Sequence, residues 1–189
     1  EGLDHAAHAA ACRTAGDLAT ASNADCEVAR RMLGARSPTA VSCLLALESS
    51  CDETAAAVCD LDGRLLSSRI ASQIAIHRRT GGVVPEVASR NHILHVRPLV
   101  EAVLEEARVP LSRVAAFAAT RGPGLVSSLL IGTSMAKALA LASGRPFLAI
   151  NHMEGHLLSP FMTGDRRVRP CVALIVSGGS PSHPDRLAL

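Results

Sequence analysis

Short apolar runs separated by turn signals dominate the chain from residue 43 onward. The run CLLALESS (43–50) is typical of a buried strand. The segment TAAAVCDLDGRLLSSRIAS (54–72) indicates two further strands joined at Asp62-Gly63, a dipeptide that favours hairpin turns. We therefore predict three sequential strands between residues 43 and 72.

Helical and strand patterns alternate after residue 84. The segment 85–109 begins with Pro85, a good first helical residue, and has apolar residues at helical spacing, while Pro98 should break or kink that helix near its middle. The later patterns predict a strand at 114–120, a buried helix at 125–142, a strand at 146–150, a helix at 152–162 and a strand at 171–179. This alternation predicts an α/β layered fold.

Composition limits the class of protein but does not identify partners. An apolar content of 48% is enough to bury a core. A formal charge of +2 is too small to indicate or to exclude a nucleic-acid partner. The sequence has no Trp or Tyr and three Phe, so any RNA contact should use shape and phosphate rather than base stacking. The six scattered cysteines are typical of reduced, mostly buried cytosolic thiols.

Two segments need separate interpretation. Residues 1–42 are rich in Ala and have no strand pattern, which indicates an N-terminal extension or the remnant of an upstream domain. They contain too many acids for a typical transit peptide. The stretch 125–144 is about long enough to span a bilayer, but Lys137 and several hydroxyl residues favour a buried helix of a soluble protein.

A histidine pair is the most specific candidate for chemistry. His152 and His156 lie four residues apart on a predicted helix, about 40° apart around its axis, so both imidazoles can reach one ion. In the metalloprotease pattern H-E-x-x-H the glutamate follows the first histidine, whereas Glu154 is at i+2. The pair alone is also compatible with surface or core histidines, and no third ligand is tied to it by spacing.

Acidic and glycine-bearing turns give weaker signals. ESSCDET (48–54) places Asp52 and Glu53 side by side after the first strand, where they could hold a metal or a water beside a phosphate, or cap the turn. TRGPGL (120–125) and IVSGG (175–179) each follow a predicted strand, and their backbone N–H groups could cradle phosphate oxygens or form plain turns.

Five segments together resemble the TsaD family, long labelled glycoprotease or O-sialoglycoprotein endopeptidase. In chain order they are LLALESSCDETAAAV, HRRTGGVVPEVASRNH, TRGPGLVSSLLIGTSMAKALA, NHMEGHLLSPF and VALIVSGG. The resemblance runs from about Cys43 to Gly179. It implies an α/β lobe of the actin/Hsp70/sugar-kinase fold, a mixed sheet flanked by helices, with a nucleotide cleft between it and a second lobe.

The resemblance also implies a function and its residues. Members of the family transfer a threonylcarbamoyl group from threonylcarbamoyl-AMP to N6 of the adenosine next to the anticodon of tRNA, in the cytoplasm, with TsaB-like and TsaE-like partner proteins and no membrane. By resemblance, His152 and His156 are ligands of an active-site iron(II) or zinc ion, and Asp52 and Glu53 match acids needed for activity. The segment that touches the adenylate matches Ile175, Val176, Ser177, Gly178 and Gly179.

The sequence departs from the family pattern after Gly179. In the family SGG usually continues as HT into a second lobe, whereas here it continues as SPSHPDRLAL. We therefore expect a lobe at 43–179, a divergent tail at 180–189, a missing second lobe and no activity of this chain alone. A non-catalytic scaffold in the same modification complex is an alternative, and a metallopeptidase is less favoured because of the position of Glu154.

Overall fold

A five-stranded mixed sheet forms the centre of the fold. The computed structural model describes residues 43–162 and 172–174. The strand order is β3-β2-β1-β4-β5, in which β1, β2 and β3 are antiparallel and β4 and β5 run parallel to β1. The strands are β1 (Cys43–Glu48), β2 (Glu53–Asp60), β3 (Leu65–Ser72), β4 (Val114–Gly122) and β5 (Phe147–Asn151). This sheet confirms the predicted α/β lobe and the Asp62-Gly63 hairpin.

Four α-helices accompany the sheet in the described residues. They are α1 (Ile74–His77), α2 (Pro85–Ala107), α3 (Val126–Ser143) and α4 (His152–Leu158), the last followed by a 3-10 turn at Ser159–Met162. Helix α2 packs on β2 and β3, α3 packs on β4 and β1, and the two helices pack on each other. The order of strands and helices therefore agrees with the predicted alternation.

Strand β1 is buried on both faces because it lies in the middle of the sheet. Leu45 and Leu47 belong to the main apolar cluster with Phe117, beneath α2 and α3, whereas Leu44 and Ala46 belong to a second cluster on the opposite face. All six residues of β1 are buried. A strand with two buried faces needs a continuous apolar run rather than an alternating one, which is the pattern of CLLALE.

Helix α2 continues through Pro98, so of the break or kink predicted at this residue the break is wrong. The helix spans 23 residues with Pro98 inside it. Pro98 and Leu94 are both exposed, so the Leu94 carbonyl, which loses its hydrogen bond to the proline nitrogen, lies on the face that water can reach. Solvation of that carbonyl offsets much of the cost of the proline.

Helix α3, predicted as a buried helix, is buried along one face only. Small residues at i, i+4, i+8 and i+12 form the buried face: Ser128, Gly132, Ala136 and Ala140. Val126, Leu130 and Leu141 are exposed. By length and composition alone α3 could cross a bilayer. Its contacts with β4, β1 and α2 are those of a helix packed on a sheet.

The structure describes three residues of the strand predicted at 171–179, and these three residues do not form a strand. Residues 172–174 have no strand pairing, and Val172 and Leu174 are exposed. An apolar run forms a strand only where a neighbouring strand satisfies its backbone groups. The rest of that segment, residues 1–42 and residues 180–189 lie outside the described residues.

The end of β1 is locked to α3 by a serine hydroxyl. Ser49 Oγ donates to the Ser128 carbonyl at 2.7 Å and accepts from the Gly132 N–H at 3.0 Å. A Cβ atom on residue 132 would lie 2.6 Å from Ser49 Oγ. The glycine is therefore required by the close approach of β1 to the helix.

We predict that Gly132→Ala destabilises the protein although alanine is the better helix former. Alanine should gain roughly 0.5–1 kcal/mol in an exposed helix, whereas overpacking costs typically about 1–3 kcal/mol. The free energy of unfolding from chemical denaturation measures the balance. In a Ser49→Ala background the 2.6 Å contact is absent, so the same substitution should be neutral or stabilising. Stabilisation in both backgrounds would show that the contact is unimportant.

Candidate functional site

Polar side chains collect where the parallel strands end. Glu48 ends β1, Thr120 lies near the end of β4, and Asn151 ends β5. Thr120 pairs with Ile150 of β5, and β1 pairs with β4 in parallel register. The carboxyl ends of neighbouring parallel strands form the usual ligand-binding edge of an α/β sheet.

The two predicted histidines meet at this edge. The Nε2 atoms of His152 and His156 lie 3.0 Å apart, and their rings are nearly perpendicular, at 86°. Asn151 fixes the start of α4 because its side-chain oxygen accepts from the Met153 N–H at 2.8 Å. This cap makes His152 the first helical residue and keeps its ring beside the strand ends.

The geometry of the pair fits one metal ion. Two nitrogens 3.0 Å apart are closer than twice the usual Zn–N distance of about 2.0–2.1 Å, so a single ion can reach both. Within residues 43–162 and 172–174, no group of three or more His, Cys, Asp or Glu side chains is placed to hold an ion. Among the described residues, the pair therefore offers two imidazole nitrogens to an ion.

Glu48 is the functional candidate that the sequence analysis missed. Its side chain is 10% exposed, and Oε2 lies 3.3 Å from Nδ1 of His152, which is 23% exposed. The Ser50 N–H donates to Oε1, and the Thr120 hydroxyl donates to Oε2. The available signal was a glutamate that directly follows the apolar run of a central strand, where an ionisable side chain is rarely buried unless it is paired.

Asp52 lies in the turn between β1 and β2, and Glu53 is the first residue of β2, at the same edge of the sheet. Both are half-buried. The Asp52 carbonyl accepts from the Gln73 N–H at 3.0 Å, and Glu53 is paired with Ser72 in the β2–β3 register. The structure thus brings these acids to the edge that carries the histidines, without forming a three-residue ion cluster with them.

His92 fastens this acidic turn to α2. It is fully buried, its Nδ1 lies 2.7 Å from the Thr54 hydroxyl, and its Nε2 lies 3.0 Å from the Cys51 carbonyl. A carbonyl only accepts, so Nε2 carries the proton and Nδ1 accepts from Thr54. Burial lowers the pKa of His92, which favours this neutral form, although the carboxylates of Glu48 and Asp52 act in the opposite direction.

Cys51 is a weak nucleophile. Although the residue is exposed, burial of its thiol together with the carboxylates of Asp52 and Glu48 raises its pKa to about 11. The thiol therefore remains protonated near neutral pH. Cys43 and Cys59 are buried, as expected of most cysteines in this chain.

The glycine turn at 120–125 has a packing role. The Leu125 N–H donates to the Ser50 carbonyl at 2.7 Å, and a Cβ atom on Gly124 would lie 2.6 Å from that oxygen. This close approach accounts for Gly124 without a phosphate. The other glycine turn, with the predicted substrate-binding residues Ile175, Val176, Ser177, Gly178 and Gly179, lies outside the described residues.

Comparisons with known proteins point to one family. Residues 64–183 match the sequence model of the TsaD family, described as tRNA N6-adenosine threonylcarbamoyltransferase. Curated relatives with that name include one from Dehalococcoides mccartyi, 51% identical over 136 residues, and one from Ralstonia pickettii, 52% identical over 136 residues. These matches cover 72% of this chain and 42% and 39% of the two relatives.

The chain thus spans about two fifths of the length of these relatives. Among solved structures, YeaZ from Pseudomonas aeruginosa is similar, with a TM-score of 0.46 and 34% sequence identity. That match covers 58% of this chain and 44% of YeaZ.

We predict weak zinc or iron(II) binding that depends on both histidines. Two imidazoles leave an incomplete shell, so the Kd should lie above about 1 μM. His152→Ala or His156→Ala should abolish the binding measured by competition with a chromophoric chelator. His95→Ala, which removes an exposed histidine on α2, serves as the control. Tight binding that survives both single substitutions would contradict the assignment.

We predict that the stability of the protein falls with decreasing pH because of His92. Its folded-state pKa is lowered, so below the unfolded value of about 6.5 the unfolded chain takes up a proton that the folded chain does not. The free energy of unfolding should therefore decrease from about pH 6.5 downward and level off below the folded pKa.

Chemical denaturation at several pH values measures this dependence. His92→Gln should flatten the curve. Equal slopes in the wild type and His92→Gln would refute the role of His92.

Proposed function

Because the chain belongs to the TsaD family, we propose that residues 43–162 form one wall of a tRNA threonylcarbamoyltransferase site. The reaction transfers the threonylcarbamoyl group from threonylcarbamoyl-AMP to N6 of the adenosine next to the tRNA anticodon. The observation that carries the proposal is the His152–His156 pair, with facing Nε2 atoms 3.0 Å apart beside the buried Glu48.

In this proposal each side chain at the edge has a separate task. His152 and His156 hold iron(II) or zinc, and a bound ion would supply Lewis-acid polarisation of the carbamoyl carbonyl. Asp52 and Glu53 present carboxylates, which can accept the proton that the adenine amine loses as AMP departs. The segment 175–179 is proposed to contact the adenylate, on the basis of its match to the family motif alone.

The tRNA is the proposed macromolecular substrate, and the cytoplasm is the proposed location. Arg78 and Arg79 lie exposed on a 3-10 turn after α1 and could contact phosphates. This sequence offers few side chains for base stacking, since it has three Phe and no Trp or Tyr. We therefore expect the protein to contact the phosphate backbone of the tRNA and to recognise its shape.

A scaffold role is the second candidate, favoured by exposed apolar residues on the two long helices. Ile93 and Leu94 on α2, and Val126, Leu130 and Leu141 on α3, are between 56% and 86% exposed. Large exposed apolar surfaces often mark protein contacts. We propose that these helices contact a TsaB-like protein, with a TsaE-like protein as a further partner of the complex.

The position of Glu154 gives no support to a metallopeptidase. In the H-E-x-x-H pattern the glutamate acts as general base next to the ion. Glu154 is exposed, whereas the histidines are half-buried. Glu48 lies at Nδ1 of His152, on the side of the ring opposite the paired Nε2 atoms.

We predict that this chain alone transfers no labelled threonine to unmodified tRNA above a no-enzyme control. The described residues provide two imidazole ligands and one wall, and misplacement of reactants by about 1 Å can cost on the order of a hundredfold in rate. A chimera that joins residues 43–162 to the remainder of the Dehalococcoides mccartyi relative should restore transfer, when threonylcarbamoyl-AMP and the partner proteins are supplied.

The chimera also separates the two candidate functions. His152→Ala and His156→Ala should each lower its transfer rate at least about a hundredfold if the pair belongs to the reaction. Glu154→Gln should leave the rate unchanged. Full activity of both histidine variants would refute the catalytic proposal and favour the scaffold, and omission of each partner protein tests its contribution.

A further inference from the structure

The carboxylate of Glu48 contacts the ring of His152 on the side away from the proposed ion. Nδ1 faces Glu48 Oε2 at 3.3 Å, and Nε2 faces His156 Nε2 at 3.0 Å. The contact joins residues 104 positions apart in the sequence, so it is set by the fold and not by local structure. Glu48 therefore lies directly behind the first of the two proposed ligands.

We propose that Glu48 is a positioning residue that fixes the tautomer and orientation of His152. Its carboxylate accepts the Nδ1–H of His152, which leaves the lone pair on Nε2, the atom that a metal needs. This inference rests on the proposed metal site.

The donors around Glu48 support this assignment. The Ser50 N–H and the Thr120 hydroxyl both donate to the carboxylate, and an ionised carboxylate can only accept. The Nδ1 atom of His152 must then be a donor to form the third contact. The Ser50 hydroxyl, also 3.3 Å from Nδ1, can accept the same proton in a bifurcated hydrogen bond.

The assignment also determines the state of His156. With two Nε2 atoms 3.0 Å apart, one must donate and the other accept when no ion is present. If His152 Nε2 is the acceptor, His156 carries its proton on Nε2. The two neighbouring histidines therefore have opposite tautomers in the metal-free protein, and a metal must displace the proton of His156 only.

Nitrogen NMR of the metal-free chain tests the tautomers directly. Long-range proton–nitrogen correlation spectra of histidine-labelled protein, at a pH where the imidazoles are neutral, should show Nδ1–H for His152 and Nε2–H for His156. Loss of signals in His152→Gln and His156→Gln assigns them. A His152 ring protonated on Nε2 in the wild-type chain would overturn the proposal, whatever the variants do.

Glu48→Gln should change the His152 tautomer. Glutamine has a similar shape but can present its NH₂ group to Nδ1, which would move the proton of His152 to Nε2. Glu154→Gln makes the same chemical change on the exposed face of α4 and should leave the spectrum unchanged. An unaltered His152 tautomer in folded Glu48→Gln, checked by circular dichroism, would refute the positioning role.

Zinc affinity gives a second readout. Loss of an outer-shell carboxylate typically weakens metal binding 10–100-fold. We expect that loss in Glu48→Gln, a smaller one in Glu48→Asp and none in Glu154→Gln. Affinities within about twofold of wild type in Glu48→Gln would contradict the inference. If the wild type binds no zinc, the metal site of the proposed function fails, whereas the tautomer measurement still decides the role of Glu48.

Discussion

The arrangement of the site depends on one buried carboxylate. Glu48 lies at the end of the central strand, where an uncompensated charge would be costly. Its compensating donors come from three different parts of the fold: the turn after β1, the end of β4 and the start of α4. Because the three donors belong to separate parts of the fold, their hydrogen bonds to this carboxylate hold those parts together. The polar contacts of Glu48 therefore organise the edge of the sheet at which the parallel strands end.

The turn after β1 is held from both sides by contacts that span long stretches of sequence. Ser49 bonds the backbone of α3 across 79 residues, and His92 of α2 bonds the Cys51 carbonyl across 41 residues. Ser49 and His92 are neutral, buried and hydrogen-bonded, so they make the turn rigid without adding another buried charge. The two long helices thus hold the turn that carries Asp52 and leads into Glu53.

Local patterns in the sequence predicted the five strands and the longer helices of residues 43–162, but not the short helix α1, the solvent exposure of the elements or their long-range pairs. The apolar run of β1 and the Asp62-Gly63 turn carry their own signals, so the hairpin and the sheet were predictable. The exposed face of α3 was not, because an all-round apolar helix has no preferred face until the small residue Gly132 meets Ser49. Glu48 was missed for the same reason, since its partners Thr120 and His152 are distant in sequence.

The position of the carboxylate relative to the histidine pair argues for one kind of chemistry. In a protease helix the glutamate stands beside the ion, where it can take a proton from a bound water. Here the cap at Asn151 makes His152 the first residue of a seven-residue helix, so its Nδ1 faces the strand ends and Glu48. A carboxylate behind the ring raises the basicity of the ligand and fixes its direction, but it cannot reach a water on the far side of the ion. In the proposed reaction such a site would hold the electrophile in place, and the nucleophile would be the adenine amine of the substrate.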